Sequence, residues 1–247
     1  MSQSTSYIRM AIAGVLGRCF DRNKYPRTSK ADIVNALGRA NGYERYLEVA
    51  TRTTGHRFSQ VSNAVFPIRQ RALYNCPADY ADDLELHYSS PERNGEQCLK
   101  EIVGTGQTFD VVFIDPYHSY EASKIDLAYG LRLLSSGGVL VVHDCNPPKQ
   151  GLTSPEYQQG DWMGETYLAF LEFVREHADL EYCVVDTDWG VGLIWRAAGT
   201  KPKCSGGLPD RPDASEFDVE DWKAFDDSRE RILRLISVNQ FSRSFAR

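Results

Sequence analysis

Two short stretches hold the residue types that can do chemistry. Phe109 to Asp115 is a nearly continuous apolar run that stops at an acid, and His118 follows three residues later. Val139 to Val142 is a second apolar run, and it stops at His143-Asp144. Carboxylates suit hard divalent cations such as Mg2+, and an imidazole in the set tilts the preference towards a transition ion such as Mn2+. An imidazole beside an acid is also the usual general base. Asp115, His118, His143 and Asp144 are therefore the candidates for proton transfer and for holding a cation, provided the fold brings them together.

The two runs are too short for typical helices and rich in β-branched residues, as expected of strands buried on both faces of a parallel sheet. In open α/β sheets ligands bind beyond the carboxyl ends of the strands, so the four residues are expected to meet at one rim. The rest of the chain alternates strand and helix. Arg27 to Gly42 reads as a helix, with Ser29 as N-cap, Asp32 as a shortened capping box and Gly42 as the left-handed stop. Tyr43 to Ala50 reads as a strand, Phe58 to Val65 as a short helix, Ala72 to Asn75 and Leu84 to Tyr88 as strands, and Glu96 to Val103 as a helix. Tyr120 to Leu134 reads as a helix whose Ile125, Ala128 and Leu131 face the sheet. Gly137-Gly138 turns the chain into the second run. Tyr182 to Val185 and Val191 to Trp195 flank an Asp/Gly turn and read as a hairpin. Pro147 to Trp162, rich in Pro, Gly and Gln, is expected to cover the rim, and Phe217 to Val238 to form one terminal helix.

Composition limits the function. The chain has 247 residues, 42% of them apolar, enough for a substantial core. A net charge of −6 argues against a nucleic-acid binder that works by phosphate neutralisation. Six scattered cysteines form no C-x-x-C pair and suggest thiols in a reducing compartment. No run reaches the length of a membrane span. Met10 to Leu16 reads as part of an N-terminal amphipathic helix rather than a signal peptide, so a cytoplasmic protein is expected.

The ordered set Tyr46-Leu47-Glu48-Val49 with Gly55, Ser89-Ser90, Phe109 to Asp115 with His118, Tyr120 and Glu121, Gly137-Gly138 leading to His143-Asp144-Cys145-Asn146-Pro147, Trp162-x-Gly164 and Asp186-x-Asp188-x-Gly190-Val191-Gly192 resembles the class I S-adenosylmethionine-dependent methyltransferases. The resemblance spans about Tyr43 to Arg196. Within that class it is similar to bacterial metal-dependent saccharide O-methyltransferases, including the mycobacterial enzymes of methylmannose polysaccharide synthesis. It implies a doubly wound, mostly parallel seven-stranded sheet ending in an antiparallel hairpin, the Rossmann-like methyltransferase fold. Residues 43–198 would be the core, 1–42 a helical N-terminal segment, and 199–247 a C-terminal loop and helix that packs on the core or forms a dimer contact. The implied cofactor is S-adenosylmethionine, with Glu48, Ala50, Thr51, Gly55, Asn75, Ser89, Ser90 and Asp115 as contacts. The implied ligands of a divalent metal, Mg2+ or Mn2+, are Asp115, His143 and Asp144, and His118 is the implied base, with His143 as the alternative. Two departures stand out: Ala50 replaces a usual glycine, and Asn75 stands where an acid usually holds the ribose.

The implied reaction is methyl transfer to a sugar hydroxyl of a saccharide, mannosides included. The aromatic residues Tyr117, Tyr120, Trp162 and Trp189 would flank the rim. A phenolic or other small acceptor is the alternative. A nicotinamide-dependent oxidoreductase is disfavoured by the missing G-x-G-x-x-G and by the terminal hairpin. A non-catalytic binding module is disfavoured by acid and imidazole at two strand ends. His56, His87 and His177 lack a comparable acidic partner and read as surface or packing residues.

Overall fold

The polar residues that open the helix at Lys30 are placed as their types require. In the computed structural model, which describes residues 27–51, 55–74, 87–90, 95–217, 219 and 221–246, α1 runs Lys30–Asn41. Ser29 Oγ accepts from the Asp32 amide, and the Asp32 carboxylate accepts from the Ser29 amide at 2.8 Å, so amides at the helix start are satisfied reciprocally. Gly42, at φ 63°, ends the helix by donating its amide to Gly38 O. The expected amphipathic helix around Met10 to Leu16 lies outside the described residues.

Among the described residues the other strands and α-helices are β1 (Arg45–Thr51), β2 (Ile68–Tyr74), β3 (Tyr88–Ser89), α2 (Glu96–Gly104), β4 (Phe109–Asp115), α3 (Tyr120–Leu133), β5 (Leu134–Val142), α4 (Thr166–Glu176), β6 (Leu180–Val185), β7 (Val191–Arg196), α5 (Trp222–Ile232), β8 (Leu235–Ile236) and α6 (Val238–Phe245). They build one sheet in the order β3-β2-β1-β4-β5-β7-β6-β8. Strands β1 to β5 pair in parallel, and β7 runs antiparallel to both β5 and β6. This is the expected doubly wound sheet with its hairpin, extended by a short eighth strand that pairs in parallel with β6.

Side-chain alternation divides the core in two. Leu47, Val49, Val112, Ile114, Leu140 and Val142 pack under α2 to α5. Tyr46, Val111, Phe113, Val139 and Val141 lie on the opposite face, under α1 and α6. Gly138 is needed where β5 meets β4, because a Cβ there would lie 2.9 Å from Asp110 O. No helix among the described residues is long and apolar enough to cross a membrane.

Several local expectations are corrected. The sheet-facing stripe of α3 is Ala122, Asp126, Leu127, Gly130 and Leu133, while Ala128 is exposed. Gly130 lets the helix sit close to the sheet, since a Cβ would come 2.7 Å from Leu140 Cδ1. The buried Asp126 disguised this face as polar. The segment expected as one terminal helix is broken: Arg234 takes φ 47°, and Leu235–Ile236 pair with β6 before the chain turns into α6. Burial of Ile236 in the sheet competes successfully with helical continuity. The expected helix from Phe58 is instead a 3-10 turn over Gly55–Gln60. The third strand is confined to Tyr88–Ser89 among the described residues, and residues 75–86 lie outside them.

Candidate active site

Register brings the acids together. Asp115 is the last residue of β4, and Ile114 pairs with Val142, the last residue of β5, so the segments leaving both strands start side by side. His118 Nε2 lies 3.3 Å from Asp115 Oδ1 and 3.2 Å from Asp144 Oδ2. His143 Nδ1 lies 3.3 Å from Asp115 Oδ1 and 3.1 Å from Asp144 Oδ1. All four residues are at least nine-tenths buried.

The scaffold around them is strained and clamped. Asp144 adopts φ 61°, and Asp188 and Trp189 in the β6–β7 turn adopt 47° and 65°. Left-handed conformations outside glycine cost roughly 1–2 kcal/mol each and tend to gather at functional sites. The two segments hold one another: Cys145 N–H donates to Gly190 O and Asn146 N–H to Trp189 O. A Cβ on Gly190 would fall 2.3 Å from Asn146 N, so only glycine allows this approach. Arg229, from α5, donates to Asn146 Oδ1 at 3.1 Å and Pro147 O at 2.7 Å. On the other side the Pro147–Trp162 segment reaches the rim as expected. Trp162 O lies 2.9 Å from His118 Nδ1, and the Trp162 ring lies tilted against those of His118 and Tyr117, with centroids 5.4 and 5.2 Å away.

Two residues that sequence reading did not assign complete the cluster. Lys30, at the start of α1, places its ammonium on Asp115 Oδ2. Its backbone N–H donates to Asp188 Oδ2 at 2.8 Å, and Asp188 Oδ1 stands 3.5 Å from His143 Nε2. Asp186-x-Asp188 was visible as a motif, but nothing in the sequence points Lys30 at an acid 85 positions away.

Electrostatics follow from this crowding. Burial opposes ionisation of Asp115, yet Lys30 and His143 hold its carboxyl well below the usual range. Burial pulls both imidazoles down, but Asp144 and Asp115 outweigh it, and His118 and His143 are both raised. Burial likewise opposes the Asp188 carboxylate, and His143 brings it below its ordinary value.

The geometry fits a cation. Asp115, His118 and Asp144 each offer a ligand atom within 4.8 Å of the others. Two donors at right angles, each ~2.1 Å from one ion, stand about 3 Å apart, close to the separations seen here. His143 Nδ1 and Nε2 are buried and near carboxylates, but neither makes an aligned hydrogen bond. The triangle contains His118 where His143 was expected, while His143 faces the same two acids.

Several of the expected cofactor residues lie at the carboxyl ends of neighbouring strands. Ala50 pairs with Asp115 across β1 and β4, Thr51 ends β1, Ser89 ends β3 and Ser90 follows it. Gly55 opens the 3-10 turn that follows β1. Asn75 lies outside the described residues. Glu48 is 1% exposed; its Oε2 accepts from Tyr46 at 3.1 Å and its Oε1 stands 3.2 Å from Arg71 Nε. Oε1 has no aligned hydrogen bond, so it retains capacity for a further donor. Burial lifts the Glu48 carboxyl to about 7, against the pull of Arg71. Tyr120 does not line the rim; its hydroxyl bonds to Glu172 on α4. His177 is a packing residue, bonded at 2.8 Å to Phe173 O.

A family profile described as a methyltransferase domain matches residues 19–145. The chain belongs to the methyltransferase-domain family. It is thus a methyltransferase. No curated protein matches its sequence. Among solved structures, this methyltransferase is similar to a protein described as a caffeoyl-CoA O-methyltransferase from Staphylococcus aureus, at 15% identity and TM-score 0.49, over 77% of this chain and 91% of that one. It is also similar to the O-methyltransferase TomG from Streptomyces achromogenes, solved with SAM, at 14% identity and TM-score 0.47, over 79% and 99% of the chains. A third, MycE of the mycinamycin biosynthetic pathway, was solved with Mg, SAH and mycinamycin VI; it shares 15% identity at TM-score 0.44, over 78% of this chain and 52% of that one.

Proposed function

We propose that this methyltransferase is an O-methyltransferase that uses a divalent cation and S-adenosylmethionine to methylate a sugar hydroxyl of a saccharide. The observation that carries the reading is the meeting of Asp115, His118, His143 and Asp144 at the ends of β4 and β5. The saccharide acceptor is supported by the aromatic wall of Tyr117, Trp162 and the 60% exposed Tyr157, beside His118. A phenol would stack on the same wall and is the competing acceptor.

Asp115 and Asp144 would hold the cation together with an imidazole, and Glu48, Ala50, Thr51, Gly55, Ser89, Ser90 and Asn75 would hold the cofactor. When bound, the sulfonium supplies an electrophilic methyl group and the cation lowers the pKa of a hydroxyl. A backbone carbonyl only accepts, so His118 Nδ1 carries a hydrogen donated to Trp162 O. The two carboxylates raise His118 and favour a proton on Nε2, so the ring would serve as a base once a bound cation offsets them and frees the Nε2 lone pair. His118 takes the hydroxyl proton at Nε2, and Asp115 and Asp144 stabilise the imidazolium that results. Burial of the cluster limits competition from water.

The deciding experiment is transfer of a labelled methyl group to mannosides, other sugars and phenols, followed by mass spectrometry. The reading expects a methylated saccharide, loss of turnover in EDTA and recovery with Mg2+ or Mn2+. Full activity in EDTA removes the cation, and label on phenols alone replaces the acceptor. His118→Gln separates the two roles open to that ring. As a base, its loss collapses turnover and leaves Mn2+ affinity in place; as a ligand, its loss lowers both.

A further inference from the structure

Asp115 divides its two oxygens between different partners. Oδ1 faces the imidazoles of His118 and His143, both at 3.3 Å, and Oδ2 carries the ammonium of Lys30. Lys30 is 8% exposed, and its placement is built in rather than left to a free rotamer. Its amide is tied to Asp188, Thr187 Oγ1 donates to Thr28 O at 2.6 Å, and its ammonium lies 5.7 Å from the centre of the Phe113 ring. The start of α1 is thus fastened to the same rim that carries the acids.

We propose that Lys30 is a resident counter-cation that sets how weakly the cluster holds a divalent ion. The inference rests on the cation reading above. A buried ammonium persists only where carboxylates compensate it, and Asp115, Asp144 and Asp188 do so here. A divalent ion on the Oδ1 side of Asp115 shares that carboxylate with a fixed positive charge a few ångströms away. The like-charge repulsion, weakly screened in a buried site, lowers metal affinity, and the ammonium draws donor strength from the shared carboxylate. The arrangement keeps the ion exchangeable and links its occupancy to the docking of α1.

The sign of the effect separates this role from a structural one. Loss of a merely structural lysine loosens the site and weakens metal binding; loss of a repelling charge strengthens it. The experiment is calorimetric titration of Mn2+ into the wild type, Lys30→Gln and Lys30→Arg, with thermal melts as a check on folding. Lys30→Gln is expected to bind Mn2+ about tenfold tighter or more, and Lys30→Arg to stay within about threefold of the wild type. Lys30→Met replaces Lys30→Gln if the latter does not fold. A folded, charge-free variant that binds Mn2+ equally or more weakly overturns the proposal and leaves the cation reading standing. Failure of the wild type and every variant to bind Mn2+, with S-adenosylhomocysteine still bound, overturns both.

Discussion

Asp126→Asn should stabilise this methyltransferase, and the gain should grow with pH. Asp126 is 1% exposed in the middle of α3. Its Oδ1 accepts from Tyr74 at 3.0 Å, and its Oδ2 has no hydrogen-bond partner. Burial raises its carboxyl from 3.8 to about 8, against the pull of the Tyr74 bond. The folded state therefore keeps a proton that the unfolded chain releases above about pH 4. A group raised in this way contributes most below its unfolded pKa and loses that contribution as pH climbs towards its folded value. At ~1.4 kcal/mol per unit, the accumulated cost at pH 7 is roughly 4 kcal/mol. An asparagine pays none of it, but its amide inherits the orphaned position at a cost of about 1–3 kcal/mol. The net gain at pH 7 is then on the order of 1–3 kcal/mol, and it reverses near pH 4. Urea unfolding of both proteins from pH 5 to 8 measures the difference directly. A stability difference that stays constant across that range would refute the reasoning, because only the titration makes it pH-dependent.

Asp144→Ala should lower Mn2+ affinity by roughly 10-fold or more and abolish turnover, with calorimetry and labelled methyl transfer as the two readouts. Arg71→Met should destabilise the fold more at pH 8 than at pH 5, because Glu48, already lifted to about 7, loses the cation that favours its ionised form; adding Glu48→Gln should remove that pH dependence in urea melts. Gly164→Ala should cost about 1–3 kcal/mol and slow turnover, because Gly164 has φ 57° and a Cβ there would lie 2.0 Å from His118 O. A Gly164→Ala enzyme with wild-type rate would show that the His118 backbone can shift without consequence for the chemistry.

The sequence alone determined the main architecture. Two short β-branched runs ending in acid and imidazole read as central strands with polar tips, and Ser29, Asp32 and Gly42 specify one helix through local hydrogen bonds. Such signals are short-range, so they survive without tertiary information. They misled where burial outweighed local pattern. Asp126 on the inner face of α3 broke its apolar stripe, and Ile236 left a helical segment for the sheet edge. In the site, Asp115, His118, His143 and Asp144 were legible because strand register carries them to one rim. Only the tertiary structure decided which atoms face one another: that Trp162 O orients His118, that Arg71 engages Glu48, and that Lys30 lies on Asp115. Those contacts join residues distant along the chain, and no periodicity or motif encodes a distance between side chains that only folding brings together.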